Sequence, residues 1–339
     1  MEHGFVDCHC HISAREFEED LEDVIQRTTE AGVKTLVAVT EEVGEFARVL
    51  QLQERYPDLV APCFGIHPLQ GGGGSEQRSV KPQDLDAALP HFYKHRERLV
   101  AVGEIGLDFT PWCAPTQQDR DDQMKVFVEQ LNIAKELDLP VNVHSRSAAK
   151  VTIATMREQG ISRALLHNFA GKPSVALEGV KAGYLFSFPP AVCRNQQRDK
   201  LIQQIPMEHI CLETDSPALG PDRHVRNEPR NIVLSCRHIA RIKGASPQTV
   251  QLVAAQNAYR LFPKALCWGL QLSAGLSPAL LSGGQSAKKH RAGPQVTPIM
   301  SPLGPLPGLA WVQLHLTPRL PPQVQLQESS LFRSGHFKS

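Results

Sequence analysis

Residues 5–11 read Phe5-Val6-Asp7-Cys8-His9-Cys10-His11, an apolar strand-length start that turns into alternating acid, thiol and imidazole. Side chains alternate with period two along a strand, so Asp7, His9 and His11 share one face while Cys8 and Cys10 point to the other. Two imidazoles on one strand face can hold one cation. In a parallel barrel that face points inward, where Val, Ile or Leu usually fill the space.

Outward from this stretch the same unit recurs. Short apolar runs at Phe5–His11, Lys34–Thr40, Leu59–Ile66, Leu99–Gly106, Pro140–His144, Ala164–His167, Gly183–Pro189 and His209–Glu213 have the length and residue types of strands. Charged segments of helical period separate most of them: Glu16–Ala31, Glu42–Arg55, Pro82–Arg96, Gln117–Leu137 and Ser147–Gln159. Two more helices, near Arg230–Lys243 and Pro247–Leu261, follow the last strand. Eight βα units over about 260 residues predict an α/β fold of the TIM (β/α)8 barrel type, spanning residues 1–264. A doubly wound open sheet is the rival, because period alone does not close a sheet.

The 339 residues are 41% apolar and 21% charged, with 36 Lys+Arg against 35 Asp+Glu and a formal charge of +1. That balance excludes a collagenous or wholly disordered chain and a strongly basic module that holds nucleic acid by charge alone. No membrane partner is expected. The start, Met1-Glu2-His3-Gly4-Phe5, has no basic, apolar or amphipathic leader, which predicts a cytoplasmic or nuclear location. Eight cysteines without a C-x-x-C pair read as reduced, mostly buried thiols.

Composition changes near residue 265. From Ala265 to Ser339 there are six basic residues and one acidic, net +5, with nine prolines and eight glycines. The remainder, with 30 basic and 34 acidic residues, carries −4. Prolines this dense forbid a long helix or a central strand, so 265–339 is expected to be a disordered C-terminal tail. A basic interaction segment or import patch at Lys288-Lys289-His290-Arg291 is the functional alternative for it.

Ligand-type side chains gather at the C-terminal ends of the strand runs. The fourth run ends Val102-Gly103-Glu104-Ile105-Gly106-Leu107-Asp108, the fifth Val143-His144-Ser145-Arg146, the sixth Leu165-Leu166-His167-Asn168 and the eighth Leu212-Glu213-Thr214-Asp215-Ser216-Pro217. His9, His11, His144 and His167 with Glu104 and Asp215 make four imidazoles and two carboxylates. Six protein ligands exceed what one tetrahedral zinc takes, whereas two divalent cations sharing a carboxylate would each receive three or four. The expected centre is therefore binuclear, with Glu104 between the ions. Nitrogen-rich ligation favours zinc or manganese over calcium, and magnesium is the less natural choice.

Taken in order, Asp-x-His-x-His at 7–11, Gly65-Ile66-His67-Pro68, Gly103–Asp108, Val143–Arg146, His167-x-Phe-x-Gly, Glu213–Pro217 and Arg226-Asn227-Glu228-Pro229 resemble the TatD family. These are metal-dependent hydrolases of the amidohydrolase superfamily, mainly deoxyribonucleases, and the resemblance covers residues 5 to about 263. It implies a DNA substrate, with His9, His11, Glu104 and Asp215 on one metal and Glu104, His144 and His167 on the other. It further implies that Asp215 orients or deprotonates the attacking water and that His67, Arg146 and Arg226 face the substrate phosphate. Asp7, Asp108 and Glu213 would fix imidazole tautomers. Ala170, the run Phe109-Thr110-Pro111 and the glycines 71–74 depart from the family pattern without removing a metal ligand.

Two cations a few ångströms apart suit in-line displacement at a phosphodiester. With the body at −4, accessible or single-stranded ends are the expected target, since duplex tracking wants a basic stripe. Aromatic residues are too dispersed to mark a base-stacking platform. The same scaffold could instead serve ester, amide or aminoacyl-RNA hydrolysis. A metal-stabilised interaction protein, with the tail as its working part, is the reading outside enzymology.

Overall fold

The computed structural model describes residues 4–71 and 77–265. The expected tail, its Lys288–Arg291 patch and the glycines at 72–74 lie outside the described residues, apart from Ala265.

Eight parallel strands form one sheet: β1 Phe5–Cys10, β2 Val33–Ala38, β3 Val60–Phe64, β4 Ala101–Gly106, β5 Val141–His144, β6 Ala164–Leu166, β7 Leu185–Phe188 and β8 Ile210–Leu212. They follow one another in chain order, each hydrogen-bonded to the next. Nearly every strand residue is buried, the signature of a parallel sheet covered by its crossover helices. Beyond the end of β8, Asp215 N donates to His9 O and His11 N donates to Ser216 O, both at 2.9 Å. These bonds join the last strand's exit to the first strand, so the sheet is a nearly closed barrel and the open-sheet alternative falls.

Local chemistry sets where helices start and stop. Gln117–Glu136 begins behind Thr116, whose Oγ1 accepts from Asp119 N while the Asp119 carboxylate accepts from Thr116 N, two orphan donors satisfied reciprocally. Ile232–Lys243 ends at Gly244 in the left-handed region, which glycine enters without steric cost. The helix expected over 82–96 is two pieces, Pro82–Asp86 and Leu89–Lys94. Pro90 has no N–H to bond back to Asp86, so a new helix starts with proline in its first turn. Pro173–Lys181, Asp199–Gln204 and a two-residue ladder of Leu69–Gln70 with Arg78–Ser79 were too short to show a period.

One core cluster packs helices onto the sheet through Phe17, Phe46, Phe64, Phe92, Phe127 and Phe186. A second gathers Val6, Cys8, Val37, Cys63, Leu165 and Cys211 with Ala258 and Leu261 of the last helix. Cys8 and Cys10, expected on one face, belong to different clusters. The register of β1 against β2 shifts between Asp7 and Cys10, which breaks strict alternation. All seven cysteines among the described residues are free, and only Cys193 is exposed. No helix of the described residues is long and apolar enough to cross a membrane.

Candidate metal centre

Glu104 stands in β4 between two glycines, Gly103 and Gly106, that the packing requires. A Cβ on Gly103 would stand 2.5 Å from the Asn142 Cβ, and one on Gly106, at φ +145°, would stand 2.0 Å from His144 O. With hydrogen in their place, β4 lies close enough to β5 to bring the Glu104 carboxylate among five imidazoles.

Its two oxygens face different partners. Oε2 lies 3.3 Å from His9 Nε2 and 3.5 Å from His11 Nε2. Oε1 lies 2.7 Å from His144 Nδ1, 2.8 Å from His167 Nε2 and 3.3 Å from His67 Nε2. Asp215 Oδ1 completes the first side at 3.3 Å from His11 Nε2 and 3.6 Å from His9 Nε2. The two sides also touch each other, because the His9 and His167 rings stack with centroids 3.6 Å apart. Three overlapping sets have ligand atoms close enough to share an ion: His9, His11 and Glu104; His9, His167 and Asp215; His67, Glu104 and His144.

His9 and His144 are each held so that a particular nitrogen faces the cluster. Asn142 Nδ2 donates to Cys8 O at 2.8 Å, which leaves its Oδ1 to accept from His9 Nδ1 at 2.8 Å and frees His9 Nε2. His144 donates from Nε2 to Asp108 Oδ2 at 3.0 Å, presenting Nδ1. His167 Nδ1 is buried without a hydrogen-bond partner among the described residues, with Glu213 Oε2 3.7 Å away. A proton on that nitrogen is called for once Nε2 is given to a cation, so the orphaned atom and the donor set both fit metal binding.

Charge follows from the same geometry. Burial opposes ionisation of Glu104, but His167, His67 and His9 outweigh it and hold the carboxyl well below its usual range. Burial likewise disfavours charge on His11 and His144. The bond from His11 to Asp215 raises His11 to about 10, and Asp108 with Glu104 raises His144 to about 9. His167 moves the other way, to about 4, through burial and the neighbouring His9. Asp215 stays low, because His11 and His9 overcome its burial. Without metal, protons on His11 and His144 hold the carboxylates together.

The profile of the TatD-related DNase family matches residues 6–263. The chain belongs to that family. Danio rerio tatdn3 is 65% identical over 78% of this chain and 99% of its own length. The human protein named deoxyribonuclease TATDN3 is 53% identical over 77% and 95%. Among solved structures, YjjV, a TatD homolog from Escherichia coli, superposes with a TM-score of 0.68 at 28% identity over 78% of this chain and 99% of that one.

Not every residue that the TatD pattern pointed to stands where expected. Arg226, expected at a phosphate, donates to both carboxylate oxygens of Asp20 at 2.7 and 2.6 Å and to Glu228 at 3.2 Å, and its guanidinium covers the Phe17 ring. These bonds tie the Arg226 loop to Asp20, directly before the Leu21–Glu30 helix. Arg146 donates from Nε to Asp108 at 2.6 Å, and among the described residues its half-exposed guanidinium makes only a long contact to Cys113 Sγ besides. His67 lies inside the cluster. In the tautomer that accepts the Leu69 amide on Nδ1, at 3.0 Å, its proton sits on Nε2 and points at Glu104.

Among the described residues Asp7 makes no hydrogen bond to an imidazole. It accepts from Thr214 N, Thr214 Oγ1 and His9 N, so it ties the exit of β8 to β1, and burial lifts its pKa to about 7 against those bonds. Glu213 braces Ser187 Oγ and Asn168 N, both at 2.8 Å. The residue that does orient His9, Asn142, was not singled out. Its signal was present in Val141-Asn142-Val143-His144, where period two puts the amide on the same face as a ligand.

Proposed function

We propose that this chain is a metal-dependent hydrolase that cleaves DNA phosphodiester bonds, with two divalent cations held by His9, His11, Glu104, His144, His167 and Asp215. The observation that carries the reading is the split carboxylate of Glu104. One oxygen faces His9 and His11 and the other faces His144 and His167, the arrangement a ligand shared between two cations needs. Four imidazole nitrogens favour zinc or manganese over magnesium. When bound, the cations supply positive charge that acidifies water and neutralises the phosphate undergoing displacement.

The chain's own groups supply the rest. Asp215, ionised and beside His11, accepts the proton of the attacking water. His67 donates from Nε2 to a phosphate oxygen, and Arg146, anchored through Asp108, offers its outer nitrogens to the same group. Asp108 thereby links phosphate binding to the orientation of His144. The human relative's name, a deoxyribonuclease, supports the substrate class.

A body of net charge −4 favours accessible or single-stranded ends over duplex. Release of nucleotides from end-labelled single strands, compared with nicking of a closed circular duplex, tests both parts. Faster cleavage of the circle would overturn the end preference, and survival of every DNA under zinc, manganese and magnesium would overturn the substrate.

A further inference from the structure

The arginines around the mouth of the barrel are mostly spoken for. Arg27, Arg226 and Arg230 share Glu228, with Asp20 accepting from the first two, and Arg146 is on Asp108. Arg198, in the segment after β7, differs from all of them. Among the described residues no carboxylate lies within 4.0 Å of its guanidinium. Its partner is neutral: Nη1 donates to Asn168 Oδ1 at 2.6 Å and to Asn168 O at 3.3 Å. Nε and Nη2 make no hydrogen bond among the described residues.

That neutral partner places the cation. Asn168 directly follows His167, and its backbone N–H donates to Glu213 Oε1 at 2.8 Å. The guanidinium therefore rests against the loop that leaves β6 at the metal centre. Glu213 and Asp215 lie within electrostatic reach of it, and burial outweighs their pull and lowers its pKa. A partly buried guanidinium that lacks an anion carries a desolvation cost, and its flat fork of donors matches a phosphate.

We propose that Arg198 binds a non-bridging phosphate oxygen of the substrate, the part that Arg226 is too engaged to play. The substrate clause rests on the phosphodiester reading above, whereas the anion-binding clause stands apart from it. Two measurements on the full metal-loaded chain separate them: the affinity for inorganic phosphate, and the KM and salt dependence of single-stranded DNA cleavage. Arg198→Gln is expected to weaken phosphate binding about tenfold and raise KM to a similar degree, with kcat less affected. The slope of log affinity against log salt should fall by about 0.7, the value of one phosphate contact on a single strand.

Arg198→Lys should keep the salt slope and recover part of the affinity. Arg55→Gln, at the C-terminal end of the Phe46–Arg55 helix, should change neither. Metal content equal to wild type in Arg198→Gln shows that the loss is not one of folding. Phosphate affinity and salt slope unchanged in Arg198→Gln would overturn the proposal while leaving DNA cleavage standing. Weakened phosphate binding in a protein whose wild type cleaves no DNA would retain Arg198 as an anion site and overturn the substrate instead.

Discussion

Asn142 decides which nitrogen of His9 faces the metal centre. Its Nδ2 is committed to Cys8 O, so Oδ1 must accept the proton of His9 Nδ1, 2.8 Å away, and Nε2 is left bare toward Glu104 and Asp215. The amide spans two strands that are far apart in sequence, β1 and β5, and fixes the His9 ring from outside the cluster.

Removing such an orienting partner costs metal affinity while the ligands remain. Asn142→Ala is expected to weaken cation binding about 10- to 100-fold, read by competition with a chromophoric chelator. Wild-type affinity in this variant would mean that packing alone orients His9.

Cation binding should be steeply pH-dependent. In the metal-free protein His11 and His144 have pKa values raised from 6.5 to about 10 and about 9. The stability they lend is therefore full below about pH 6.5 and lost as pH rises through 9 to 10. A cation entering at neutral pH displaces both protons, so its affinity should climb with pH by about tenfold per unit for each proton released, levelling off near pH 9 to 10. Manganese titrations at pH 6.5, 7.5 and 8.5 check this, and a flat profile would show that neither imidazole is protonated when the metal arrives.

His67 stands among the clustered imidazoles and carboxylates yet presents N–H to them when Nδ1 accepts the Leu69 amide. His67→Ala should keep the full metal content and raise the KM for DNA about tenfold. Loss of a metal equivalent would move His67 into the ligand set with Glu104 and His144.

For Arg226 the expected outcome is structural. Arg226→Gln removes the two-pronged contact to Asp20 and the cover over Phe17, so it should lower the melting temperature and leave kcat and KM for DNA near wild type. A KM raised with no thermal effect would return Arg226 to the phosphate.

The barrel was legible because its unit repeats: apolar runs of strand length, five of the eight ending in a polar side chain, alternate with segments of helical period. The convergence of His9, His11, Glu104, His144, His167 and Asp215 was legible for the same reason, since strand ends of a parallel barrel open on one face. Partners were not. Alternation places Asp7 on the face of His9 but cannot show that its oxygens go to Thr214, nor that Asn142 takes the role expected of it. Whether an arginine is free or committed depends on side chains from other elements. Asp20, at the start of one helix, occupies Arg226, while the neutral Asn168 leaves the charge of Arg198 uncompensated. A one-residue register shift in β1 likewise separates Cys8 from Cys10, and no period announces it.

The most direct test of the shared-carboxylate account is Glu104→Gln, which keeps the shape of the side chain and removes its charge. Metal content and release of nucleotides from end-labelled single-stranded DNA should be measured together on wild type and variant. The account predicts about two divalent cations and DNA degradation for wild type, with both lost in Glu104→Gln while the fold persists. A variant that still holds two cations and degrades DNA at the wild-type rate would contradict it.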